Sequence, residues 1–280
     1  MDADHLNKRL HVRFSSKYGS GEGWLEWEFA VNPFSDATEL PDDFDGDVRL
    51  FPLPGLVMFP HAMQPLHVFE PRYVEMLRES LATDQLITMA TLIDQHTTPA
   101  ESPPRVSPIV CVGKIVSHAE LDDDRHNVLL VGVRRARIRR EMETTQSFRT
   151  AQVDLIDDFY MPAATSKRSE LKRRLLTAFG KIIPPKVGSH QMLHDLMAGQ
   201  MGVGPITDII AYMMPFPLAD KLQLLEMSDV DGRAEYLIEL LNHSDIDLQS
   251  VSVSEQKIDL QEESSHRPDR NSFPPPFSAN

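Results

Sequence analysis

Residues 50–73 read LFPLPGLVMFPHAMQPLHVFEPRY. Pro52, Pro54, Pro60 and Pro65 punctuate short apolar runs, and Pro71 stands where a helix would begin. Each proline fixes its own φ and removes a ladder donor, so strands here must be short, bent or at a sheet edge. Asn, Asp and Ser are absent from the stretch, so ordinary turn chemistry does not account for it. The pattern predicts a buried, irregular β segment that leads into a helix over 71–81. Glu70 precedes the proline at the first helical position, and Tyr73, Val74, Leu77 and Leu81 recur at helical spacing.

Outward from this block the period is that of strands. Segments 48–53, 64–69, 86–93, 109–121, 127–139 and 150–156 are rich in β-branched or aliphatic residues. Asp122, Asp123 and Asp124 separate two of them and suit a hairpin loop with its carboxylates in solvent. A run of strands with a single helix predicts a closed or nearly closed small barrel rather than a parallel sheet. After Phe159 the period becomes 3.6. Leu171, Leu175, Phe179 and Ile182 line one helix face, which Pro184 and Pro185 end. Further helices are expected at 191–198 after Ser189, from Gly204-Pro205, from Pro217 and after Asp231. Short connections make these antiparallel neighbours in a compact bundle. The fold class is therefore α+β, with a barrel over 47–158 and a helical bundle over 159–243.

The flanks read differently. Residues 1–46 are expected to form a disordered or loosely docked tail, loosened by Gly19, Gly21 and Gly23 and acidic at its end. Within it WLEWEFAVNPF, residues 24–34, alternates weakly like a strand. It could be an extra edge strand on the barrel or a short motif for a partner. Residues 244–280 turn polar, and FPPPF at 273–277 suits a polyproline-II tail.

A formal charge of −14 argues against general nucleic-acid binding, which needs net or clustered positive charge. The lone Cys111 excludes an internal disulfide and a multi-cysteine zinc site, and fits a reducing cytoplasm. No apolar run is long enough to span a membrane, and the first residues lack the pattern of a secretory signal. HExxH, GxSxG and CxxC are all absent, so no catalytic residues are assigned. His190 and His194 stand four apart with Asp195 beside them, but a third ligand is not indicated, so no metal or cofactor is assigned. Arg134, Arg135, Arg137, Arg139 and Arg140 form the densest basic cluster. Alternation puts Arg135, Arg137 and Arg139 on one face and Ala136 and Ile138 on the other. The preferred reading is a solvated face paired with carboxylates such as Asp122 to Asp124; the alternative is an RNA-binding strand, extended by Lys167, Arg168, Lys172, Arg173 and Arg174.

Three blocks resemble the substrate-binding domain of the Lon proteases, in its stand-alone branch. They are residues 50–73, ending in FEPRY; VGKIVSHAELDDDRHNVLLVGVRRARI, residues 112–138, with a Gly-x-x-Arg turn at Gly132 to Arg135; and residues 208–241, with Lys221 and Arg233 in the last two helices. The resemblance implies a PUA-like barrel followed by a helical bundle, and the binding of unfolded or exposed polypeptide segments, with a protease as a further partner. It does not bring Lon's enzymology. No G-x-x-x-x-G-K-[ST] string that would cradle phosphates occurs, and the polar tail is too short for an ATPase or a Ser-Lys peptidase. The residues expected to grip polypeptide are Met58, Phe59, Met63, Phe69 and Tyr73, with Glu70 and Arg72 at the helix start. Methionine adapts its shape and aromatic rings supply area. Arg72 is alternatively expected to reach a carboxylate across the barrel and pin the helix to it.

Overall fold

The computed structural model describes residues 7–14, 23–30, 39–93, 104–182 and 201–243. The helix expected at 191–198, the His190/His194 pair and the FPPPF motif lie outside these residues. Strands β1 (Asn7–Phe14) and β2 (Gly23–Ala30) pair antiparallel with each other in a separate two-stranded sheet. The strand expected around Trp24 is therefore present, but its partner lies in the segment read as a tail and not at the barrel edge.

Five strands form a closed ring: β3 (Asp47–Pro54), β5 (Leu86–Leu92), β6 (Ile109–Glu120), β7 (His126–Met142) and β8 (Arg149–Ile156). The sixth, β4 (Met63–Val68), lies outside the ring on β7. Closure depends on the 17 residues of β7. Its whole length up to Arg137 lies along β6. Its other edge takes β4 from His126 to Val131 and β8 from Arg135 to Met142. One strand thus serves as both a platform and a seam.

Ladder positions explain the prolines. Pairing of β3 with β8 stops at Leu50, so Pro52 and Pro54 have a partner strand on one edge only. Pro65 sits on β4, which pairs with β7 alone. The β3–β5 pair is parallel, while the other pairs of the ring are antiparallel. Its crossover runs through β4 and helix α1 (Pro71–Ala82).

Alternation divides the barrel residues between two cores. Val48, Leu50, Leu86, Ala90, Val110, Val112, Ala136, Ala151 and Val153 cluster together. All five ring strands contribute to that set, which marks it as the lumen. On the opposite face Phe51, Leu66, Ile87, Met89, Cys111 and Leu130 meet Tyr73, Val74, Met76 and Leu77 of α1. Arg49 fastens the far end of that helix, donating to Glu79 Oε1 at 2.8 Å, Asp84 Oδ1 at 2.8 Å and Thr83 Oγ1 at 2.9 Å.

The described helices of the bundle are α2 (Arg168–Ile182), α3 (Val203–Met213), α4 (Leu218–Glu226) and α5 (Val230–His243). Leu171, Leu175, Phe179, Ile206, Ile210, Leu224, Leu237 and Leu241 fill its centre. Val57, Phe59, Ala62 and Ile109 of the barrel belong to the same cluster, so the proline-rich loop wedges the two halves together. Among the described residues no helix is long and apolar enough to cross a membrane.

Candidate functional site

The proline-rich block separates its side chains by face. Met58 enters the core beneath α1, whereas Phe59, next in the chain, enters the bundle core. Both are fully enclosed. Tyr73 is buried as well, its ring edge-on to Phe51 at a centroid distance of 4.4 Å. These three residues, expected to face a bound polypeptide, instead hold the domain together. The reason is physical: the loop is sandwiched between two apolar bodies, where bulky side chains are worth more buried than exposed.

What remains outside is smaller. Phe69 is 58% exposed, with the His67 ring tilted against it at 5.8 Å. His67 is in turn fixed by a 2.9 Å hydrogen bond between Nδ1 and Asn127 Oδ1. Arg72 lies over the Tyr73 ring at 4.6 Å and is bound to Glu70 at 2.8 Å. It pairs with its own neighbour rather than across the barrel as expected. Met63 is half-buried. The adjacent Gln64 accepts a 2.6 Å hydrogen bond from Tyr212 of α3, which ties β4 to the bundle. Burial pushes the Tyr212 hydroxyl up to about 12, so it stays a donor.

A second apolar surface was not anticipated. Phe159, Tyr160 and Met161 are all exposed where the chain leaves the barrel, and Leu155 at the end of β8 is exposed too. Their backbone is held: Phe159 N–H donates to Ser228 O at 2.8 Å and Val230 N–H to Phe159 O at 3.1 Å. The guanidinium of Arg168 lies 5.1 Å from the Tyr160 ring centroid while it binds Asp231. Three large apolar residues in a row before Pro162 were the available signal, but the change of period there made the segment look like a mere boundary.

Beneath this surface lies a four-membered charge network. Arg135 of β7 and Arg233 of α5 face Asp208 of α3 and Asp158 of the connecting segment. Arg135 pairs with Asp208 and donates to Asp158 Oδ1 at 3.1 Å. Arg233 donates to both Asp158 oxygens at 3.0 Å and to Met227 O at 2.6 Å. Burial pushes the Asp208 carboxyl up, against the pull of Arg135 and then Arg233. Burial also works against the Arg233 charge, yet Asp208 and Asp158 hold its pKa above the ordinary value. Gly204 permits the approach, since a Cβ there would meet Tyr160 Oη at 2.7 Å and Asp158 Oδ2 at 2.9 Å.

The arginine strand is thereby corrected. Its alternation is as expected, with Ala136 and Ile138 toward the lumen core. Exposure departs at Arg135 alone, which is 2% exposed; Arg137 and Arg139 stay exposed and pair with Glu226 at 2.9 Å and Asp154 at 2.6 Å, as a solvated face would. Arg134 is half-buried. The partners are not Asp122 to Asp124, of which Asp124 pairs with Arg78 and Asp123 lies 3.7 Å from Arg125. Nor do Gly132 to Arg135 form a turn. They lie inside β7, where Val133 is the extra residue of a bulge opposite Val112 and Gly113. The extra residue re-aims the following side chains, which sets Arg135 toward the bundle.

Comparison with known proteins matches residues 47–243 to the model of the ATP-dependent protease La (LON) substrate-binding domain. The Lon protease of Escherichia coli K12 is 30% identical over 215 residues, which cover 73% of this chain and 26% of that protein. The Lon protease of Brevibacillus choshinensis is 24% identical over 207 residues, covering 70% and 25%. The chain thus spans about a quarter of the length of the curated relatives it matches. Among solved structures, the N-terminal domain of the Mycobacterium avium complex Lon protease superposes with a TM-score of 0.54 at 16% identity. That alignment covers 70% of this chain and 98% of that one, a likeness of fold.

Proposed function

The chain belongs to the family of the ATP-dependent protease La (LON) substrate-binding domain, and we propose that it is a polypeptide-binding module that grips exposed apolar segments of other proteins. The observation that carries this reading is the pair of apolar surfaces, Phe69 beside His67 and the run Phe159 to Met161, which hold the most exposed large apolar groups among the described residues. Large aromatic groups at low conformational cost suit recognition of varied unfolded sequences. The buried network and the proline wedge hold the frame still, so binding need not order it first. On this reading the chain contributes recognition alone, delivering clients to a protease or withholding them, and performs no cleavage itself.

The test uses the purified full chain on a peptide array, with light scattering of an aggregating client. Apolar-rich peptides should be retained, and Phe69→Ser or Phe159→Ser should weaken them about tenfold each. No affinity for any peptide or unfolded client would remove the proposal. Casein should stay intact with or without ATP; its degradation would overturn the non-catalytic part.

A further inference from the structure

At the tip of the β6–β7 hairpin, Glu120 stands opposite His126 in the strand register, and Asp124 closes the intervening turn. One ligand atom from each of Glu120, Asp124 and His126 falls within 4.8 Å of the others. The two carboxylates are exposed, but the imidazole is only 3% exposed. Its Nε2 is buried, has no hydrogen-bond partner among the described residues, and lies 3.4 Å from Asp124 Oδ1. The other ring nitrogen, Nδ1, is 2.9 Å from His118 Nε2, with the two rings stacked at 5.1 Å.

We infer that Glu120, Asp124 and His126 form a binding site for a borderline divalent transition cation of the Zn2+ kind, with His118 as the positioning residue behind it. Donation from His126 Nδ1–H to His118 Nε2 leaves the Nε2 lone pair directed at the carboxylates. An outer hydrogen bond of this type orients metal-binding imidazoles generally. Two carboxylates and one imidazole, open to water for a fourth ligand, match the donor set that Zn2+ accepts. Bonds of about 2.0–2.1 Å in a tetrahedron put ligand atoms about 3.3 Å apart, and the His126–Asp124 separation is already 3.4 Å. Arg78 of α1 competes for Asp124, but its side chain is 60% exposed and can turn to water when the cation arrives. Asp122 and Asp123, both exposed, stand outside the ligand set. This inference stands independently of polypeptide binding.

The full chain, freed of metal by a chelator, should be titrated with ZnCl2 by calorimetry and with Co2+ by visible absorption. One equivalent should bind with micromolar affinity or better, and Co2+ should give the intense band of a four-coordinate site. The double variant Glu120→Gln, Asp124→Asn changes only exposed groups, so its fold is retained. It should weaken that equivalent at least tenfold and abolish the Co2+ band, while Asp122→Asn should leave both unchanged. Equal loss in Asp122→Asn would mark simple charge attraction and overturn the site. So would a one-equivalent event insensitive to the double variant, or no binding below the millimolar range.

Discussion

Arg233 of the last helix holds Asp158, the residue that follows the last barrel strand by two positions, through both carboxylate oxygens at 3.0 Å. Both partners are shared, Asp158 with Arg135 and Arg233 with Asp208. Barrel and bundle are thus joined by four ions, of which Arg135, Arg233 and Asp208 are closed to water and Asp158 is partly open to it. Such a pair is weak grounds for stability against an apolar replacement, but losing one member is costly because the remainder stays buried and unbalanced.

Arg233→Ala is therefore expected to destabilise the fold by about 3–5 kcal/mol, read from urea unfolding. Arg233→Lys should restore little, because an ammonium cannot fill the two-oxygen fork. A loss below about 1 kcal/mol for the alanine variant would mean that apolar packing alone carries the junction.

Gly132→Ala should cost at least about 2 kcal/mol. The added carbon would lie 2.1 Å from Phe59 O and 3.0 Å from Pro60 Cα, backbone atoms that cannot swing aside. They belong to the wedge, which is itself bonded to Gly132 through His61 N–H and Ala62 O. Gly55→Ala is the control. No described residue lies within 4 Å of the new carbon there, and the φ of +68° opposes the change at about 1–2 kcal/mol. Similar thermal shifts for the two variants would discount the close approach.

Cys111 should resist thiol reagents in the native protein. It is fully enclosed between β5 and β7, and burial pushes its thiol up to about 12. Labelling by a disulfide reagent at pH 8 should follow global unfolding and speed up in step with denaturant. Immediate stoichiometric labelling without denaturant would contradict the packing.

Lys221 supplies a pH dependence of defined sign. Its ammonium donates to Tyr212 O at 2.9 Å near the end of α3, and burial lowers its pKa from 10.5 to about 8. The folded form gives up this proton near pH 8 and the unfolded chain near 10.5, so folding releases a proton in that window. Wild-type stability relative to Lys221→Met should accordingly rise with pH from about 8 to 10.5, by at most about 3 kcal/mol. Equilibrium unfolding of the pair across pH 7–10.5 measures it; a flat difference would mean that the amine is well solvated.

Every strand of the barrel and each α-helix within the described residues was legible in local periodicity, because alternation and 3.6-residue spacing are properties of short windows. Partnership was not. Val48 to Pro54 has the pattern of a strand, but nothing in it says that it runs parallel to Leu86–Leu92. Arg135 was placed on the correct face of its strand, yet what covers that face is Asp208, 73 residues later. Met58 and Phe59 were misjudged for the same reason: an irregular loop ordinarily lies in water, and this one lies between two cores. Asp122 to Asp124 lie in solvent, as their place between two strands implied. The buried imidazole beside them becomes visible only when the register is known.

The buried position of Arg135 also limits how this architecture can diversify. A foreign helical cap grafted onto the barrel would have to bring an aspartate to the place of Asp208, or leave a guanidinium stranded in a greasy seam. A hybrid joined at residue 158 should therefore lose stability, and the two halves are best moved as a single cassette.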